Sequence, residues 1–418
     1  MVSRFAPFSF CQDVLHIDDK HEQDIMAYTL TRDALLLDLY AAYHMAKRHK
    51  ASKHYVKVFE RRLDDNLREL CDDLYDHHYE PEPSSCFIVE RPKKREVFAA
   101  QFRDRVVHHL YYNYTHQIFE RTFIEDSYSC IQGRGTHYGI ERLKKHILQE
   151  SQNYSRKCYA MSLDIRGYFM HIDRQILLDI TTNQLRKMAG HHVSVCSPVK
   201  WGDILDIDFL CWLSGEIIML NPKTSCKIVG RESDWIGLDK NKSLFHTPEG
   251  CGLPIGNLTS QLLSNVYLNE FDQFMKRNLK CQHYGRYVDD SYIVSCDREW
   301  LKSLVPDIRK FLQERLHLDI HLGKTQIHDV EYGVEFLGGF VKPYRTYISN
   351  HALRRMRYNV RHLPKNNPDK LFRSVNAFLG VLSHHNTFKL RNELFCNELT
   401  AKYGYFNSDM TMYMLHDR

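Results

Sequence analysis

Two adjacent aspartates, Asp289 and Asp290, stand between the short apolar runs Tyr284-Gly-Arg-Tyr-Val288 and Ser291-Tyr-Ile-Val-Ser295, the pattern of a β-hairpin whose tight turn carries both acids. Neighbouring carboxylates repel. A divalent cation is the usual relief, because Mg²⁺ prefers carboxylate oxygens and keeps room for phosphate and water. A solvated Asp-Asp turn has the same dipeptide, so the pair alone decides nothing. A third carboxylate, Asp164, ends another strand-like run, Cys158 to Asp164. If that strand lies beside the hairpin, Asp164 and Asp289 meet at one point, as two-metal phosphoryl transfer needs: one ion activates an attacking 3′-hydroxyl and both stabilise charge on the moving phosphate. Asp173, nine residues on, precedes Arg-Gln-Ile-Leu-Leu and reads as a helix N-cap rather than a fourth ligand.

The elements around these acids are legible in outline. Residues from about 20 to 78 have helical spacing, with Leu35, Leu36, Leu39, Tyr40 and Tyr43 on one face, and Pro81 and Pro83 end that region. A strand, Cys86-Phe-Ile-Val89, runs into the basic loop Arg91-Pro-Lys-Lys-Arg95, and Val97 to Phe119 reads as a helix. Another basic helix surrounds Leu143 to Leu148. Thr259 to Met275 is an apolar-faced helix with Thr259 or Ser260 as N-cap. The stretch 196–250 gives no clear period and reads as an insertion or extended hairpin.

The chain has 418 residues, 43% of them hydrophobic, enough to bury a large core in two or three subdomains. Its net charge of +5 suggests an anionic partner only weakly. The 12 cysteines form no Cys-x-x-Cys pair, so neither a disulfide framework nor a zinc ribbon is expected. Paired histidines such as His108-His109 and His384-His385 lack the companions of a zinc site and read as core or surface residues. With no signal-like N-terminus or membrane-length apolar run, a cytoplasmic protein with no membrane partner is expected. From Lys342 to Arg373 nine cations face the single acid Asp369. Within that run Arg354, Arg355, Arg357 and Arg361 share one helix face with Tyr358 and His362 interleaved, a nucleic-acid-binding pattern.

Leu163-Asp-Ile-Arg-Gly-Tyr-Phe169, Gly252-Leu-Pro-Ile-Gly-Asn-Leu-Thr-Ser-Gln261, Tyr287-Val-Asp-Asp290 and Phe336-Leu-Gly-Gly339 stand in the order and spacing of the reverse-transcriptase blocks. The resemblance runs from about Phe87 to Ile348. It implies an α+β right-hand polymerase with fingers, palm and helical thumb plus an N-terminal helical extension, divided at 1–80, 81–348 and 349–418. It further implies RNA-directed DNA synthesis with two Mg²⁺, Mn²⁺ being the alternative ion, from a template RNA, a primer or cDNA end and deoxynucleoside triphosphates. Asp164, Asp289 and Asp290 would then be the metal-binding carboxylates, with the carbonyl of Ile165 completing a shell. Phe169 falls at the steric gate against a 2′-hydroxyl. Lys93 and Arg95 resemble the cations of the triphosphate-gripping fingers loop, Arg95 being preferred because a guanidinium clasps phosphate bidentately. Gly323-Lys-Thr325 is not a Walker motif, since Leu318 stands where its first glycine belongs. In the family frame Lys324 could protonate departing pyrophosphate.

Inside the second of these blocks the sequence departs from most of the family, with Pro254-Ile255-Gly256 in place of Pro-Gln-Gly and Ser260-Gln261 in place of Ser-Pro. Ile255 cannot donate the hydrogen bond of an amide, so the incoming nucleotide is held more by shape. This departure resembles the reverse transcriptases of diversity-generating retroelements, which copy a template RNA with errors at adenines. Such a relationship implies a structured template RNA and a small basic accessory protein. A phage-defence reverse transcriptase is the alternative of the same chemistry, and an RNA-binding scaffold with an inactive polymerase fold is the alternative of another class. Group II intron enzymes are disfavoured, because no maturase tail or endonuclease follows residue 418.

Overall fold

The computed structural model describes residues 28–90 and 93–416, so the start of the expected N-terminal helical region and Arg91 lie outside the described residues. The described chain opens with three helices, α1 (Arg32–Lys47), α2 (His54–Glu60) and α3 (Leu63–Tyr75). Thr31 caps α1 by accepting from the Ala34 amide, and Leu35, Leu39, Ala42 and Tyr43 bury one stripe of it. That stripe packs on α4 (Phe102–Glu120), so the N-terminal helices share the main hydrophobic core rather than forming one of their own.

Strands β1 (Ser84–Val89) and β2 (Arg95–Ala99) form an antiparallel hairpin, and β4 (Cys226–Ile228) adds in parallel to the free edge of β1. The expectation of a helix from Val97 is therefore corrected: Val97 to Ala99 complete β2, and the helix starts only at Phe102. The cross-strand ladder outcompetes the helical pattern here because Phe98 is fully buried between the strand and its neighbours.

The central sheet has four antiparallel strands in the order β5 (Tyr284–Tyr287), β6 (Asp290–Ser295), β3 (Tyr159–Asp164), β7 (Gln326–Asp329). Its two faces lie on different clusters. Leu163, Met161, Ile293 and Tyr284 face the main core, whereas Ala160, Tyr292 and Val294 face a smaller cluster closed by α5 (Thr136–Glu150). Alternation along β3 and β6 sends successive residues to opposite faces. After β3 come the one-turn α6 (Tyr168–His171) and α7 (Arg174–Ala189), the latter capped by Asp173 as expected.

The stretch 196–250 is not an extended hairpin. Ile207–Met219 is a helix, α8, capped by Asp206 and packed on α7, and the rest is β4 plus short 3₁₀ turns. Helix α9 (Leu258–Gln273) has Asn257 at its N-cap position, not Thr259 or Ser260. The Asn257 carboxamide accepts from the Ala100 amide instead of capping its own helix, and the Thr259 hydroxyl is bonded to His108 Nδ1 at 2.8 Å.

Helix α10 (Arg298–Leu316) covers the main core beside α9, and β8 (Val334–Phe336), β9 (Gly339–Lys342) and β10 (Arg345–Ile348) make a separate meander. The C-terminal region has its own core of Ile348, Met356, Leu371, Val375, Leu379, Phe395 and Tyr413. It contains α11 (Asn350–Arg361), α12 (Pro368–Leu382), α13 (Phe388–Phe395) and α14 (Glu398–Tyr403), and the purely helical expectation is corrected by a hairpin of β11 (Gly404–Phe406) and β12 (Tyr413–Leu415). Among the described residues every cysteine is free, and no helix is long and apolar enough to cross a membrane.

Candidate active site

The ladder between β3 and β6 sets Asp164 directly opposite Asp290. Asp289 is in the hairpin turn, but Asp290 is not: it pairs with Tyr287 as the first residue of β6, so the two-residue turn is Val288-Asp289. Val288 has φ +55°, a conformation that β-branched residues rarely adopt and that costs of order 1–3 kcal/mol. Something must hold it. Arg286 Nη1 donates to the Val288 carbonyl at 3.0 Å, and the same guanidinium, 1% exposed, is clamped by Asp272 of α9 at 2.7 and 2.6 Å. Tyr284 also donates to Asp272, at 2.7 Å. A buried ion pair thus ties the strained turn to the helix behind it.

Crowding disfavours the ionisation of Asp289 and Asp290. The Asp289 carboxyl is raised above the ordinary range, first by burial and further by Asp164. Asp290 has an exposed edge, yet protein surrounds it closely enough that burial, with Asp289 and Asp164 adding repulsion, pushes it up to about 6. Cations oppose this from two sides. Lys324 Nζ pairs with Asp164 Oδ2 at 2.5 Å and its field reaches both other acids, while Arg95 acts on Asp289 and Lys93 on Asp290. Lys94, between them, is turned away to the Ile236 carbonyl. The donor set is hard carboxylate oxygen, which fits a divalent cation of the Mg²⁺ type. Among the described residues no three such side chains already close around one point, and an ammonium is what balances Asp164. Of the residues singled out in sequence, Asp173 stays outside this cluster: its Oδ1 caps α7 and its Oδ2 faces His317.

The segment Gly252–Asn257 is laced between the α6 turn that follows the strand of Asp164 and the cationic hairpin. Leu253 and Gly252 donate to the carbonyls of Phe169 and Ile172, both at 2.8 Å, and on the other side the Ile255 carbonyl accepts from Phe98 of β2 at 2.9 Å. Gly256 has φ +131°, and a Cβ there would meet the Phe98 carbonyl at 2.9 Å, so the close approach requires glycine. Phe169 and Ile255 pack on one small cluster with Phe98, Met170 and Leu244. Gln261, exposed at the start of α9, accepts from the Cys130 thiol at 3.3 Å.

Sequence reasoning missed Glu96. It is 1% exposed and accepts from Trp235 Nε1, the Ser243 hydroxyl and the Leu244 amide at 2.7–2.9 Å, fastening residues 232–246 to the strand that starts with Arg95. A charged residue at an inward position of an otherwise apolar strand was the signal. Arg354, Arg355 and Arg361 are exposed on α11, far along the chain from the acids, whereas Arg357 pairs with Glu393 at 3.1 Å.

The profile of the reverse transcriptase (RNA-dependent DNA polymerase) family matches residues 217–340, a stretch that includes Ile255, Gly256, Asp289, Asp290 and Lys324 and begins after Asp164. Protein YkfC of Escherichia coli K12 is 23% identical over 315 residues, 67% of this chain and 72% of that protein. Among solved structures, apo telomerase from Candida tropicalis aligns over 75% of this chain and 59% of its own, with a TM-score of 0.45 and 10% identity. Telomerase from Candida albicans in complex with a fragment of telomeric RNA aligns over 78% and 60%, with a TM-score of 0.43 and 10% identity. The chain therefore spans less than two thirds of those telomerase chains. The match at 217–340 marks a reverse transcriptase domain within the chain.

Proposed function

We propose that this chain is an RNA-directed DNA polymerase, the error-prone enzyme of a diversity-generating retroelement, making adenine-mutagenised cDNA from a structured template RNA with the help of a small basic accessory protein. The observation that carries this reading is the apolar cluster shared by Ile255 and Phe169, which joins the α6 turn after Asp164 to the β2 strand of Arg95. Where an amide would contact the incoming nucleotide, this chain offers a branched hydrocarbon. Pairing partners are then discriminated by shape with little help from hydrogen bonds, and a pocket of that kind rejects poorly.

Within this reading Asp164, Asp289 and Asp290, with the Ile165 carbonyl, hold two Mg²⁺. The ions supply charge neutralisation and an activated 3′-hydroxyl. Arg95 and Lys93 approach from the fingers side and clasp the triphosphate, as their effect on Asp289 and Asp290 supports. The Phe169 ring excludes a 2′-hydroxyl. Lys324 leaves Asp164 and delivers a proton to the departing pyrophosphate. The C-terminal region acts as the thumb, with Arg354, Arg355 and Arg361 on the nucleic-acid backbone.

The test is primer extension on an RNA template with deoxynucleotides and Mg²⁺, followed by sequencing of the products, for the wild type, an Asp289→Ala/Asp290→Ala variant and Ile255→Gln. Extension abolished in the first variant, adenine-directed errors in the wild type and fewer of them in Ile255→Gln are expected. Faithful wild-type cDNA would leave the polymerase and remove the mutagenic role.

A further inference from the structure

Beyond Asp164 the strand stays paired, Ile165 bridging Ile320 and the Arg166 amide donating to the Asp319 carbonyl at 2.9 Å. In extended chain, residues two apart share a face at a separation of about 6–7 Å. The alternating burial of Asp164, Ile165 and Arg166 agrees, so Arg166 projects to the side of the Asp164 carboxylate. A cleft of about 480 Å³ opens there, lined by Arg166, His171, Asn241, Gln313, His317 and Asp319.

The acid that lines this cleft, Asp319, and the one behind its His317 wall, Asp173, are already satisfied. Asp319 is held bidentately by Arg309 at 3.0 and 2.9 Å, which keeps its carboxyl below the ordinary range. Asp173 spends one oxygen on the α7 cap and the other on His317 Nδ1 at 3.1 Å. His171 Nδ1 is bonded to the Gly167 carbonyl at 2.9 Å, which puts the proton on Nδ1 and leaves Nε2 of the neutral ring an acceptor. Among the described residues nothing bonds the Arg166 guanidinium, which is exposed.

Two backbone features mark the cleft as built. Gly167 has φ +56°, and a Cβ there would meet the His171 ring at 2.8 Å and the Asn241 carbonyl at 3.3 Å, so only glycine lets these walls close. His317 ends α10 at φ +49°, where Gly or Asn is the usual residue, and that geometry turns its ring to Asp173.

We propose that this cleft seats a backbone phosphate of the primer strand, just behind its reacting 3′ end, and that Arg166 binds it. The inference rests on the polymerase reading, since that reading puts the primer terminus at Asp164. An exposed guanidinium with no partner of its own among the described residues, in a cleft whose neighbouring carboxylates are already bonded, suits a phosphodiester. The primer is favoured over the template because the cleft continues from the strand of the carboxylate that receives the 3′-hydroxyl.

The test measures binding of the full chain to an RNA-template, DNA-primer duplex, with single primer phosphates near the 3′ end replaced in turn by neutral methylphosphonates and a matched set made in the template. Wild type should lose roughly tenfold in affinity at one primer position. Arg166→Gln should show that loss on the unmodified duplex, no further loss at that position, and a salt slope smaller by about one. Arg166→Lys, which keeps the charge, should recover part of the affinity. Equal penalties in wild type and Arg166→Gln at every primer position, or coupling to a template position instead, would overturn the proposal. Extension assayed on the same duplexes separates the two claims: synthesis without positional coupling sinks the phosphate seat alone, and coupling without synthesis sinks the polymerase reading.

Discussion

The hairpin and strand that carry Asp164, Asp289 and Asp290 are short, apolar and closed by ladder hydrogen bonds, whereas residues 230–250 hold their place through polar contacts to the Glu96 side chain of another element. In the first region periodicity and structure coincide. In the second, one buried carboxylate, Glu96, gathers a ring nitrogen, a hydroxyl and an amide from a segment with almost no regular structure. The difference teaches that one candidate site can be framed by two kinds of order, one repeating and one made of single polar contacts, and that each fails in its own way.

The largest expected effect removes the chemistry and spares the frame. Asp289→Ala should lower the rate of single-nucleotide incorporation by roughly 10³-fold or more, with an unchanged circular-dichroism spectrum. Next, Asp272→Asn leaves Arg286 buried without its counter-charge. Loss of one partner from such a pair costs about 3–5 kcal/mol, visible as a lower denaturation midpoint, and an Arg286→Met/Asp272→Leu double variant should regain much of it. If the single variant keeps its stability, the turn is held by the ladder alone.

Glu96→Ala tests the other kind of order. Each donor left unpaired costs about 1–3 kcal/mol, and limited proteolysis should cut within 232–246 while the nucleotide KM rises more than kcat falls. Resistance to protease would show that β4 anchors the segment without Glu96. The smallest effect is a pH dependence. The Asp290 carboxyl is raised to about 6, so its favourable contribution to folding is present below its unfolded value of about 4 and is lost as pH rises through about 6. Asp290→Asn should therefore melt above wild type at pH 7–8 without divalent ions and converge with it below about pH 4. Parallel melting curves would mean that Asp290 is not crowded in solution.

What could be read in advance follows the same division. The hairpin around Asp289-Asp290 was legible because Tyr284 to Ser295 alternates around two acids, and the cap at Asp173 because an acid precedes an apolar helical run. The turn was off by one residue, since the pairing of Tyr287 with Asp290 depends on the left-handed Val288, which no propensity predicts. The start of α9 was misplaced because Asn257 serves Ala100 and not its own helix, a contact between residues 157 positions apart. Helix α8 was overlooked because its residues are apolar on nearly every side, which removes the one-faced pattern that marks a surface helix. The basic face of α11 was legible as composition, but the bond of Arg357 to Glu393 is a tertiary fact.

The parallel pairing of β4 with β1 has a consequence in time. Ser84 meets Cys226, about 140 residues later in synthesis, so one edge of the β1–β2 hairpin stays open while that length emerges. At ~5–20 residues per second this lasts from about 7 to 28 s. An open strand edge is a template for unwanted pairing. Chains released shortly before residue 226 should therefore aggregate during translation, and those released after the 246 turn should stay dispersed, so the yield of intact protein should improve when elongation is made faster through residues 100–226 or when a holding chaperone is present at that stage.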